Sequence, residues 1–130
     1  MQDPLLDLLD EIRTNSGPRQ TIGLMDVVIT SFAASDQNLA DAILEASKNH
    51  KEYSAQLGPG LLMMDESELI QTLQSDFINF YPAATVNPYV AIAARGPWII
   101  TSHGAVLHDN GGYGMLGYGH GPDNVINAMS

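Results

Sequence analysis

The sequence predicts an α+β fold: a helical N-terminal half, then a three-stranded antiparallel meander, then the start of a further helix. Three observations carry this. Residues 1–81 place apolar side chains at helical spacing, interrupted by Gly17-Pro18 and Gly58-Pro59-Gly60. Residues 89–109 change to short runs of β-forming residues separated by turn signals. Eight of the twelve glycines lie at or after Gly96, so backbone freedom is concentrated in the last third.

The elements follow in order. Asp3-Pro4 supplies a cap and a first-turn proline, and Leu5, Leu8, Leu9 and Ile12 mark one face of a first helix. Thr21 to Ala34 is nearly all apolar apart from Asp26, and its periodicity does not decide between a buried helix and a strand. Ser35 or Asp36 can cap a long helix whose seam is Leu39, Ile43, Ala46, His50, Tyr53 and Leu57. Asp65 with Glu68 has capping-box spacing and leads into Leu69, Leu73, Phe77 and Phe80, ending at Pro82.

Strands are predicted at Tyr89–Ala94, Trp98–Ser102 and Ala105–Asp109, turned by Arg95-Gly96-Pro97 and His103-Gly104. Pro82 to Pro88 is the best boundary. It divides a helical region, 1–81, from a second region, 82–130, holding the meander, a glycine-rich loop and the opening of a helix. Pro122 suits the first position of that helix, and Val125, Ile126 and Met129 begin a buried face. No closing signal follows, so the sequence reads as the front of a longer protein.

Composition narrows the function. The 130 residues, 14.0 kDa, suffice for one core. A net charge of −10, with five scattered basic residues, argues against nucleic acid and against an anionic membrane surface. With no cysteine, disulfides, thiolate zinc sites and Cys nucleophiles are excluded. The N-terminus lacks the basic start of a signal peptide. The longest uncharged stretch, Phe77 to Ala94, carries two prolines and two asparagines and will not span a bilayer. A cytoplasmic location is the default.

Two constellations are candidates for chemistry. Gly112-Tyr-Gly-Met-Leu-Gly117 spells G-x-G-x-x-G, but two further glycines and a proline follow where a helix should open, and no Gly-Lys-Ser/Thr occurs. A structural turn explains it better than nucleotide binding. His103, His108 and His120 with Asp109 could ligate a divalent metal, yet their spacing is not that of a metal motif. His50, on the helix seam, reads as a satisfied core or rim histidine. Ser102-His103 adjacency is not triad geometry.

The last third, from about residue 88, resembles a known family. Ala94-Arg-Gly-Pro-Trp-Ile-Ile-Thr-Ser-His-Gly-Ala-Val-Leu-His-Asp109, then Gly112, then Leu116-Gly-Tyr-Gly-His120 and a helix through Asn127-Ala-Met, looks like the front of the class III (ω-type) aminotransferases, pyridoxal-phosphate enzymes of fold type I. Gly96, Ile99-Ile100, Gly104, Val106-Leu107 and Asp109 fall at the places of the family's early meander. Gly117, Tyr118, Gly119 and His120 match the step before its helix. Two departures stand out: His103 sits where the family usually has an acid, and Gly111-Gly-Tyr-Gly114 is unusually rich in glycine.

The resemblance implies an enzyme that transfers an amino group from an amine or amino acid to a 2-oxo acid through pyridoxal 5'-phosphate. This chain would be its N-terminal segment, one wall of the pocket, and inactive alone. The family's cofactor lysine, ring-nitrogen acid and phosphate-binding turn come later, and pyridoxal chemistry requires that lysine. Partners implied are the remainder of the aminotransferase chain and a second copy in a homodimer. By carry-over, Tyr113, with Gly112 and Met115, lines the substrate side; packing of Tyr113 on the meander is the competing explanation. A different function class stays open as well: a stand-alone acidic helical module that binds a protein partner.

Overall fold

The computed structural model describes residues 3–75, 85–110 and 119–130. Helices α1 (Pro4–Thr14), α2 (Asp26–Ala33), α3 (Gln37–Leu57), α4 (Pro59–Leu62) and α5 (Glu66–Gln74) precede strands β1 (Ala91–Arg95), β2 (Trp98–Thr101) and β3 (Val106–His108). Helix α6 (Asp123–Met129) follows. The strands form one antiparallel sheet in the order β1-β2-β3. The fold is therefore α+β, with a helical N-terminal half.

A side-chain cap sets three of the six helix starts among the described residues. Asp3 accepts a hydrogen bond from the Leu5 amide at 3.0 Å, and Pro4 occupies a position where no amide is needed. Asp36, rather than Ser35, caps α3 by accepting from Asn38 N at 3.0 Å. The Thr21–Ala34 ambiguity resolves into helix only from Asp26, whose carboxylate suits the N-terminal dipole. Asp65 caps α5 through Ser67 N at 2.9 Å, while Glu68 stays exposed and Glu66 turns inward. Phe77, Phe80 and Pro82 lie outside the described residues. Pro122 is the cap of α6 rather than its first residue.

Helix α3 carries the fold. It lies across β1 and β2 and against α1, so Leu9, Ile12, Leu39, Ala42, Ile43, Ala46, Trp98, Ile100 and Val106 share one core. The helical region and the meander are thus joined by a common apolar interior. The predicted seam enters it through Leu39, Ile43, Ala46 and His50, but Tyr53 and Leu57 are exposed. Geometry explains the difference. A helix of 21 residues is about 30 Å long, whereas a strand of 5 residues covers about 17 Å. Asn49 bonds Ile92 O near the start of β1, so the last turns of α3 run past the sheet. There Tyr53 and Leu57 line an apolar cavity of about 240 Å³ instead.

The meander turns on two glycines. Gly96 and Gly104 have φ of 54° and 81°, a region that side-chain-bearing residues avoid. The strands match the predicted runs to within two residues. β2 and β3 are shorter, while β1 starts later and takes in Arg95, assigned to the turn, because Arg95 still pairs with Trp98. A register shift falls between Ala91 and Ala93.

Candidate functional site

Three polar groupings stand out, and the first lies at the Gly96 end of the meander. Gly96 and His120 exchange both backbone hydrogen bonds, at 3.0 and 2.8 Å. Asp109 N donates to Pro97 O at 2.7 Å, and His120 Nε2 lies 2.8 Å from Asp109 Oδ2. The two flanks of the glycine-rich segment are therefore anchored to the same turn. Arg95 strengthens this corner, donating to Glu45 Oε2 at 2.9 Å, to Asp123 Oδ1 at 2.7 Å and to Gly121 O at 3.1 Å. Bonding first to Glu45 and then to Asp123 holds the guanidinium more firmly protonated than usual. Tyr113, Gly112 and Met115, the residues expected on the substrate side, lie outside the described residues.

Beneath this corner, Trp98 is 1% exposed and donates its indole N–H to Asp36 Oδ2 at 2.8 Å. The Asp36 carboxylate thus serves both the α3 cap and the sheet. The His108 ring stands edge-on to Trp98 at 4.8 Å, with Phe32 tilted against it at 5.3 Å.

The second grouping is at the opposite end of β2 and β3, in their connecting turn. His103 is 1% exposed, with Nε2 at 2.8 Å from Met64 O and Nδ1 at 2.9 Å from Ser102 Oγ. A carbonyl only accepts, so a neutral His103 carries its proton on Nε2 and takes the Ser102 proton at Nδ1. His103 thereby ties the turn to the connection between α4 and α5, and Ser102 orients its ring. The four sequence candidates for a metal are accordingly divided, with His103 at one end of the meander and His108, His120 and Asp109 at the other. Among the described residues no group of three or more His, Asp or Glu side chains is placed to hold a metal.

The third grouping surrounds His50, which is 4% exposed on α3. Its Nε2 lies 2.9 Å from Ser16 Oγ, and that hydroxyl also lies 2.7 Å from Ile12 O and 3.0 Å from Ser102 O. Ser16 has one proton and two carbonyls to receive it, so it accepts from His50 Nε2–H. His50 is the satisfied core histidine that its seam position predicts. Burial first, and the nearby His103 second, lower its pKa, opposed by Glu11. A cavity of about 430 Å³ opens beside it, between the end of α1 and the middle of α3. No sequence signal points to this cavity, because Glu11, Ser47 and Lys51 are unremarkable surface types until two helices bring them together.

No helix among the described residues is long and apolar enough to cross a membrane. Compared with known proteins, the chain matches no protein-family model, no curated protein and no solved structure.

Proposed function

We propose that this chain is the N-terminal segment of a class III-like aminotransferase, acting in the cytoplasm as part of a longer polypeptide and paired in a homodimer. The observation that carries the reading is the meander. Its strands lie within the stretch that carries the resemblance, its turns fall on Gly96 and Gly104, and the Gly119-His120 step returns to the Gly96 turn. Such an arrangement supports a role as one wall of a substrate pocket, to which Tyr113, Gly112 and Met115, between Asp109 and His120 in the sequence, would contribute. Ile126 and Met129 of α6, 50% and 82% exposed, offer an apolar face to the rest of such an enzyme.

Pyridoxal phosphate does not fit the described residues of this chain. Lys48 and Lys51 are its only lysines, and both are exposed on α3, with Lys51 3.3 Å from Glu11. On this proposal the cofactor groups belong to the remainder of the enzyme.

The test is amino transfer by the product of the whole native reading frame, supplied with pyridoxal phosphate, pyruvate or 2-oxoglutarate, and a panel of amines and amino acids. Transfer to the 2-oxo acid, with Tyr113→Ala altering kinetics for some donors, supports the proposal. A frame that ends without a further lysine, or a full-length product with no transfer, overturns it. The second reading, an acidic module that binds a protein partner, is favoured by the single core shared between helices and sheet. It requires the 130-residue chain to be monodisperse in solution.

A further inference from the structure

The cavity beside His50 has features of a built binding site. Its volume of about 430 Å³ falls within the range of small-molecule pockets. Glu11 and Ile12 line it from α1, Ser47, His50 and Lys51 from α3, and Met63 from beyond α4. Two of these polar side chains are deeply buried: His50 is 4% exposed and Ser47 6%. With Nε2 committed to Ser16, a neutral His50 presents Nδ1 as a bare acceptor. Among the described residues, neither His50 Nδ1 nor Ser47 Oγ has a hydrogen-bond partner. Neither is sealed off, since among the described residues the sealed, unpartnered side-chain atoms are Arg19 Nη1 and Glu66 Oε2. Both polar atoms therefore face the open space that their residues line.

Charge at the mouth indicates the occupant. Glu11 Oε2 and Lys51 Nζ form a 3.3 Å pair whose side chains are 46% and 59% exposed, so separating them costs little. A ligand with one ammonium and one carboxylate exchanges this weak pair for two. Its ammonium would meet the Glu11 carboxylate and His50 Nδ1, and its carboxylate would meet Lys51 and the Ser54 hydroxyl, all of which line the cavity. Ile12, Ala55 and Met63 leave an apolar wall for the rest of the molecule. We infer that this cavity binds a small zwitterion, a free α-amino acid with an apolar side chain. The inference uses α1, α3 and Met63 and is independent of the aminotransferase reading.

The experiment is an NMR titration of the isotopically labelled protein with L-leucine, L-leucinamide and N-acetyl-L-leucine. L-leucine produces saturable shifts centred on Ser47 and His50. Each analogue, lacking one charge, binds about tenfold more weakly or worse. Glu11→Gln and Lys51→Met, at exposed positions that the fold does not need, each weaken L-leucine by about tenfold while leaving the remaining spectrum unchanged. Absence of saturable shifts with L-leucine overturns the inference. So does an analogue that binds as tightly as L-leucine, or affinity that neither variant alters.

Discussion

At the scale of single residues, the buried polar side chains make the sharpest predictions. His50 has a folded pKa below its ordinary 6.5, because burial disfavours the imidazolium. The unfolded chain thus binds this proton more readily than the folded one. Its contribution to stability is present above 6.5 and is lost as pH falls through the folded pKa. Urea midpoints measured against pH should decline across that interval, and His50→Gln should flatten the decline. An unchanged slope in the variant would assign the titration to another group. Asp65 acts in a separate, more acidic window, since its bond from Gln20 holds its pKa below 3.8. Trp98 and Asp36 form a second coupled pair. Asp36→Ala removes the α3 cap and strands a buried indole N–H, so a loss of about 2–3 kcal/mol is expected in urea unfolding. Trp98→Phe gives up the indole donor while retaining an aromatic ring, and should cost less than Asp36→Ala.

At the scale of elements, the meander depends on the geometry of its turns. A Cβ at Gly104 would lie 2.7 Å from Arg13 Cγ and 3.3 Å from Leu9 O, in a backbone of φ 81°. Arg13 can shift, but the backbone cannot easily change hand, because Arg13 Nε also bonds Gly104 O at 3.1 Å. Gly104→Ala should therefore destabilise by about 1–3 kcal/mol, read as a lower thermal midpoint. A wild-type midpoint in that variant would mean that the turn relaxes without cost. The overrun of α3 beyond the sheet belongs to this scale too. Leu57→Ala should change stability by less than about 1 kcal/mol, whereas Ile43→Ala should cost about 2–5 kcal/mol, although both occupy the same helical seam. Comparing their urea midpoints checks the difference.

At the scale of the whole molecule, one core spans helices and sheet. Leu9 and Ile12 of α1, Leu39 and Ile43 of α3, and Trp98 and Ile100 of β2 belong to it together. The two regions should therefore unfold as one unit. Far-ultraviolet dichroism reports the helices, and fluorescence of Trp98, the one tryptophan, reports the sheet. Their urea transitions should coincide. Separated transitions would show that 1–81 and 82–130 fold independently, as the composition change at Pro82 to Pro88 suggests when read alone.

The contrast between pattern and packing runs through particular elements. Asp3-Pro4, Asp36 and the Gly96 and Gly104 turns were legible in the chain because caps and tight turns are decided within a few residues. So were the α+β order and the three strands, since hydrophobic periodicity is a local property. Thr21–Ala34 stayed ambiguous because its apolar run has no period of its own. Tyr53 and Leu57 left the core because a long helix met short strands, a fact about two elements at once. Glu66 came inward because it accepts the Gln20 and Thr21 amides at 2.7 and 2.6 Å, forty-odd residues away in sequence. The sequence by itself determined the order of the elements and, at Asp3-Pro4, Asp36, Asp65, Gly96 and Gly104, where several of them begin or turn. Tertiary structure alone decided which polar side chains meet: the Ser16–His50 pair, the Trp98–Asp36 bond and the cavity between Glu11 and Lys51. Such contacts join residues far apart in the chain, and only the packing of helices on the sheet sets their distances.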